Sequence, residues 1–186
     1  MSEAESINLP NPNPNSEGAA EPLADPGEHT THAAAPAPAP DAGSEGEGLV
    51  GEDGFAVAGR VSSPVPGHRV TYRYGIRNPR YATGYHTGDD YAARTGTPVV
   101  AVRAGTIAWA DTRGASYGTW IGLRADNGRD YIYCHLSKLE VKTGARVRAG
   151  QRIGRVGATG SVTGPHLHLE DRPRGGRYGQ DRKPRW

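Results

Sequence analysis

Five runs of five residues each, at 99–103, 106–110, 119–123, 131–135 and 166–170, are rich in β-branched and aromatic residues. Between them stand turn-forming groups: Ala104-Gly105, Asp126-Asn127-Gly128 and Thr143-Gly144. Strand-length runs closed by such turns favour β-hairpins. No stretch sustains a 3.6-residue apolar period with a cap at each end, so long helices are not expected. The expected fold class is mostly β, a small antiparallel β-sandwich or barrel.

That pattern begins only after residue 53. The 186-residue chain is 35% hydrophobic, low for a globular protein, but the deficit is concentrated. Eight of the 15 prolines precede residue 61, and residues 1–53 contain no Phe, Trp or Tyr. Such a segment buries too little apolar surface to offset its ordering entropy. Residues 1–53 are therefore expected to be a disordered, acidic, Pro/Ala-rich tail or linker, and 54–186 the folded domain. His29 and His32 lie in the tail, where no surrounding structure would orient them, and are not expected to bind metal. Charge divides at the same place. Residues 1–60 hold eleven acidic residues and one basic, Arg60, whereas 61–186 hold 21 basic and 9 acidic.

Several classes are excluded. No apolar run reaches membrane-spanning length. A single cysteine, Cys134, permits neither an internal disulfide nor a Cys-rich zinc module. The N-terminus, Met1-Ser-Glu-Ala-Glu-Ser, is acidic and shows no signal peptide, so any export is expected to use another route.

The folded part has five histidines: His68, His86, His135, His166 and His168. His166 and His168 stand two apart in a strand and leave the same face. Asp90 follows His86 by four residues. Two or three imidazoles with one carboxylate suit a catalytic zinc that keeps a position open for water. By spacing alone, unconnected surface histidines are the competing account.

The motifs Gly84-Tyr-His-Thr-Gly-Asp-Asp-Tyr-Ala-Ala, Thr95-Gly-Thr-Pro-Val, Tyr133-Cys-His-Leu-Ser, Gly150-Gln-Arg-Ile-Gly and Gly157-Ala-Thr-Gly-Ser-Val-Thr-Gly-Pro-His-Leu-His-Leu-Glu occur in that order. Over roughly residues 70–180 the chain resembles the lysostaphin-like (LytM-type) zinc metallopeptidases, which are peptidoglycan endopeptidases. The resemblance implies one Zn2+ held by His86, Asp90 and His168, with His135 and His166 as catalytic histidines that do not ligate. One of these two would orient or deprotonate water while the other stabilises the oxyanion or protonates the leaving amine. Asp89 competes with Asp90, but the family frame, with Tyr91-Ala-Ala following, selects Asp90. Glu170 matches the family's acid after the His-X-His, either supporting His168 or forming a structural salt bridge. Strict alternation makes Cys134 point away from the face bearing His135, as a small buried filler. Tyr72, Tyr74 and Tyr81 are expected in the core or lining a groove, and His68 at the surface.

The basic domain would be drawn to anionic wall polymers, and its last fifteen residues, dense in arginine, form either that surface or a solubilising tail. No stacking aromatics interleave with the arginines, so nucleic acid is not an expected partner. A monomer is expected. The setting that suits these features is a phage endolysin, made in the host cytoplasm, released by a holin and acting at the bacterial cell wall. The alternatives are a virion-associated structural component carrying the same domain and a non-catalytic wall-binding regulator.

Overall fold

The structure, a computed structural model, describes residues 61–186. The tail assigned to 1–53, its two histidines and the start of the domain at 54 lie outside the described residues. The strands are β1 (Asp89–Ala92), β2 (Pro98–Val100), β3 (Gly105–Asp111), β4 (Thr119–Ala125), β5 (Arg129–Leu139), β6 (Arg146–Val147), β7 (Arg152–Val156) and β8 (His166–Pro173). A single 3-10 turn, Ala115–Tyr117, precedes β4, and the described residues contain no α-helix. Every strand pairing is antiparallel. The expected mostly-β antiparallel class is what the chain adopts.

The main sheet runs β1-β8-β5-β4-β3-β6, and a second arm, β7 with β2, branches from β5. β5 makes the fork possible because it is eleven residues long. Its first part, through Cys134, pairs with β8, and Leu136 to Leu139 pair with β7. The arm's Val99, Ile153 and Val156 share one core with Ile107, Ile121, Leu123, Tyr131, Tyr133, Leu167 and Leu169 of the main sheet. This lays the arm against the main sheet around shared apolar side chains, as a sandwich-like fold requires. The Tyr133 hydroxyl, carried into that core, accepts a hydrogen bond from the Val102 amide at 2.9 Å and is not left unpaired.

Local chemistry explains the turns. Between β4 and β5, Asp126-Asn127-Gly128 closes a hairpin with Gly128 at φ 79°, the left-handed position such a loop gives to glycine. β1, β6 and β7 carry weak strand signals in the sequence. β1 opens on Asp89-Asp90, β6 has two residues, and β7 reads Arg-Ile-Gly-Arg-Val with only two apolar side chains. Their pairing comes from neighbours and not from propensity.

The outer face of the main sheet carries a smaller apolar cluster of Trp109, Trp120, Ile132 and Cys134. On the same face β8 presents His168, Glu170 and Arg172, opposite Cys134, Ile132 and Asp130 of β5.

Candidate metal centre

Cross-strand register builds the cluster. Asp90 of β1 lies directly opposite His168 of β8, so both side chains rise from the same face at the edge of the sheet. His86 lies three residues before β1 in a loop held by two backbone bonds: its amide donates to Ile76 O at 2.9 Å, and the Gly75 amide donates to its carbonyl at 2.8 Å. The three side chains converge. His168 Nδ1 is 2.8 Å from Asp90 Oδ1 and 3.1 Å from His86 Nε2, and His86 Nε2 is 3.1 Å from the same carboxylate oxygen.

Which ring atoms carry protons follows from their outer partners. A carbonyl oxygen only accepts, so a ring nitrogen facing it is the donor. His86 Nδ1 faces Arg73 O at 3.0 Å and His168 Nε2 faces the Glu170 carboxylate at 3.2 Å. The remaining nitrogens, His86 Nε2 and His168 Nδ1, are those aimed at Asp90. Two ring nitrogens and a carboxylate oxygen meeting in this way form a site for a cation, either a metal ion or, when none is bound, a proton shared with the carboxylate. Ligand atoms each about 2.0–2.1 Å from a tetrahedral zinc would stand roughly 3.3 Å apart, close to the observed separations. The donor set of two imidazoles and one carboxylate leaves a fourth position open, and the residues present therefore fit a catalytic zinc.

The electrostatics agree. Burial alone would raise Asp90, but hydrogen bonds from His168 and His86 outweigh it and hold the carboxyl well below the usual carboxylate range. Burial works against charge on His168, yet Asp90 and Glu170 on either side push its pKa up to about 10. Both shifts describe a place where positive charge is favoured.

Of the carboxylate alternatives, Asp89 is turned elsewhere: its Oδ1 accepts the Tyr74 amide at 2.8 Å, and it pairs with Leu169 instead of His168. Glu170 fills both of its anticipated roles. Its Oε1 accepts from His168, from Thr87 Oγ1 at 2.7 Å and from the Tyr117 hydroxyl at 2.7 Å, and its Oε2 is paired with Arg172.

His135 reaches the site through a backbone irregularity. β5 advances three residues, Tyr133 to Leu136, while β4 advances two, Ile121 to Thr119. The extra residue is a bulge, and His135 takes φ 64°, a left-handed conformation uncommon for a residue with a side chain. Tyr133 and Leu136 both face the core, while Cys134 lies opposite His168 and the His135 ring stands 4.9 Å from that of His166 and 5.9 Å from that of His168. This corrects the expectation from alternation that Cys134 and His135 leave opposite faces, because the bulge places both on the outer face. Cys134 is nevertheless a buried filler against Trp109, Trp120 and Ile132.

The two further histidines have their tautomers set as the others do. His135 Nδ1 donates to Thr159 O at 3.0 Å, and His166 Nδ1 donates to Gly164 O at 2.9 Å. His166 Nε2 lies 3.9 Å from Asp90 Oδ1, beside the ligand atoms. Burial lowers the pKa of both rings, that of His135 to about 3 with the neighbouring His168 and His166 adding to the effect.

The tyrosines divide. Tyr72 and Tyr81 pack their rings on His86, at 4.7 and 5.8 Å between centroids. Tyr74 instead donates its hydroxyl to Asp181 O at 3.0 Å. His68 is half-buried and bonded to Pro66 O at 3.0 Å. Sequence reasoning missed Gly88, Thr87, Tyr117, Arg172 and Asp181. Thr87 and Gly88 lie inside the His86–Asp90 motif and the other three outside it, but only their partners in space give any of them a role.

Comparison with known proteins places these residues in a family. The model described as Peptidase family M23 matches residues 84–180, a stretch containing His86, Asp90, His135, His166 and His168. The DD-carboxypeptidase/endopeptidase Mpg of Neisseria meningitidis is 41% identical over 116 residues, which is 62% of this chain and 25% of that protein. Lysostaphin of Staphylococcus staphylolyticus is 43% identical over 104 residues, 55% of this chain and 22% of that protein. The chain thus spans about a quarter of the length of these curated relatives. Among solved structures, the catalytic domain of lysostaphin from Staphylococcus simulans matches at TM-score 0.59 and 36% identity, covering 63% of this chain and 89% of that one. The catalytic domain of the prophage-encoded M23 protein EnpA from Enterococcus faecalis matches at TM-score 0.56 and 37% identity, covering 64% and 90%. With the family model covering more than half of its residues and its strands laid out as in these catalytic domains, the chain belongs to peptidase family M23.

Proposed function

We propose that this protein is a zinc-dependent endopeptidase that hydrolyses peptide bonds in the stems or cross-bridges of bacterial peptidoglycan, with residues 54–186 as its catalytic unit. The observation that carries the reading is the convergence of His86 Nε2, Asp90 Oδ1 and His168 Nδ1 within 3.1 Å of one another, beside two further histidines. The wall substrate is supported by the likeness to lysostaphin and to a peptidoglycan DD-endopeptidase, ShyC of Vibrio cholerae, 40% identical over 117 residues.

In this reading His86, Asp90 and His168 hold the zinc. Bound there, it supplies Lewis acidity, polarising the scissile carbonyl and making water a better nucleophile near neutral pH. His135 and His166 border the centre without belonging to it. Each keeps a fixed Nδ1–H bond to a carbonyl, so Nε2 is free to accept a proton from water or return one to the leaving amine. The Arg73 and Thr159 carbonyls and Glu170 hold the rings in place so that this exchange needs no reorientation.

The finer reading is a lysin used by a phage against its host, supported by the likeness to prophage-encoded EnpA. The excess of basic over acidic residues in 61–186 supports attraction to anionic wall polymers, an attraction that salt weakens.

The test is zinc content together with turbidity loss on purified sacculi, for wild type and His168→Ala. About one zinc per chain is expected in the wild type, consistent with one three-ligand site. The variant should lose both metal and lysis, and mass spectrometry of the soluble products should show cut peptides and intact glycan. Wall binding without clearing by a zinc-free wild type would point to a regulator, and glycan cleavage alone would overturn the peptidase reading.

A further inference from the structure

Arg172 lies on the same strand and face as His168, four residues on, and only 1% of its side chain is exposed. Its guanidinium binds three groups at once through Nε and Nη2. Nε donates to Asp181 Oδ1 at 2.8 Å, and Nη2 contacts the Tyr117 hydroxyl at 2.9 Å and pairs with Glu170 Oε2. Glu170 in turn accepts the ring proton of His168. A continuous line of polar contacts therefore runs from the C-terminal segment, through one buried guanidinium, to the imidazole that faces Asp90.

The same segment grips the other side of the site. After β8 the chain turns back, and the Arg182 amide donates to Asp171 O at 2.8 Å. Within that turn the Gly179 amide is bonded to Asp181 Oδ2 at 3.0 Å, which fixes the carboxylate. The Gly179 and Asp181 carbonyls accept the hydroxyls of Tyr85 and Tyr74 at 3.2 and 3.0 Å. Tyr85 is the residue before His86, and Tyr74 lies in the strap whose Gly75 amide binds His86 O. The segment thus touches the two supports of the cluster that are farthest apart in sequence, the loop of His86 and the strand of His168.

We propose that residues 177–182 form a clasp for the metal centre, in which Asp181 and Arg172 act as positioning residues that set how tightly the site binds zinc. The proposal rests on the zinc reading above and adds a segment that a solubilising tail would not explain. A solvated tail would leave Arg172 exposed and Asp181 free of the site. A merely structural ion pair would stabilise the fold without changing metal affinity.

The test compares wild type with Asp181→Ala, Asp181→Asn and Arg172→Lys, and with Trp186→Ala as a stability control. Trp186 packs on the core and donates to Val61 O at 2.6 Å, away from the polar line. Asn keeps an acceptor for Arg172 Nε, whereas Ala does not, and a lysine offers one ammonium where the guanidinium binds several partners. Zinc affinity, measured by competition with a chromophoric chelator, should weaken roughly 10-fold or more in Asp181→Ala and Arg172→Lys, the scale seen when outer supports of a ligand are removed. It should return most of the way in Asp181→Asn and stay at the wild-type level in Trp186→Ala. A second reading needs no metal: in the metal-free protein, nitrogen-edited NMR should show the His168 Nε2 proton protected in wild type and Trp186→Ala, and exchanging faster in Asp181→Ala. Unchanged affinity and protection in Asp181→Ala and Arg172→Lys would overturn the clasp. So would an equal loss of affinity in Trp186→Ala. If the wild type takes up no zinc, the proposed function fails, while the NMR comparison still decides whether the clasp orients His168.

Discussion

Gly88, between His86 and Asp90, stands where no side chain fits. A Cβ there would lie 2.4 Å from Leu169 O and 2.9 Å from two atoms of the His168 imidazole. The first is backbone and the second is the ring that must face Asp90, so neither yields without moving the centre. Gly88→Ala should therefore lower zinc stoichiometry and thermal stability together, by about 1–3 kcal/mol for the latter. A variant with full metal loading and an unchanged melting temperature would show that the close approach is not real. At this scale the cluster was legible and its supports were not. His86, Asp90 and His168 sit in two short motifs, and the resemblance those motifs carry is what singles the three out. Gly88 acts by lacking a side chain, and Arg172 reads as one more arginine in a basic run until Glu170 and Asp181 are placed on either side of it.

β8 carries more of the cluster and its supports than any other strand. Its outer face bears His166, His168, Glu170 and Arg172, and its inner face Leu167, Leu169 and Asp171. Asp171 is fully buried and takes the Arg129 guanidinium, with Nε at 2.7 Å, and the Arg185 amide at 3.0 Å. This fastens β5 and the C-terminal segment to the same strand. Asp171 is buried but the Arg129 guanidinium stays partly open to water, so Asp171→Ala should cost about 1–3 kcal/mol in urea unfolding, the scale of a buried hydrogen-bonding group lost. A loss below about 1 kcal/mol would place this pair with weak surface bridges. Period-two alternation made β8 readable, because His-X-His and the leucines between them declare two faces. β1 was not readable in the same way, since its strand character comes from pairing with Thr71, Tyr72 and β8 and not from Asp89-Asp90-Tyr91. The position of His135 was hidden for a different reason: the bulge is a property of two strands compared, and one strand read alone cannot display it.

Across the whole molecule, the division of charge was visible in composition, but its use was not. Counted by sequence, Arg172 belongs to a basic tail. In the fold it is interior, and only the remaining cations contribute to the external field. Two buried carboxylates compete for its charge. Glu170 is held below the usual carboxylate range, while burial and the negative Glu170 push Asp181 up to about 7. An acid raised in this way keeps its proton in the folded state while the unfolded chain has already lost it. Its effect on stability is absent below about pH 4, grows unfavourably between about pH 4 and 7, and is complete above that. Asp181→Asn removes this titration. In the metal-free protein, unfolding by urea should thus show the variant gaining on the wild type as pH rises from about 5 to 8, and a flat or falling difference would contradict the raised value.

The bulge in β5 acts as a phase shifter. Ahead of it the odd-numbered side chains, Tyr131 and Tyr133, face the core, and just past it the even-numbered Leu136 does. The reach of His135 to the metal side is therefore written in a number of residues as well as in their kinds. Exchanges of one amino acid for another leave that number intact. An insertion or deletion between Tyr133 and Leu136 does not: it would force a choice between Leu136 in the core and His135 at the centre, even with every side chain still present.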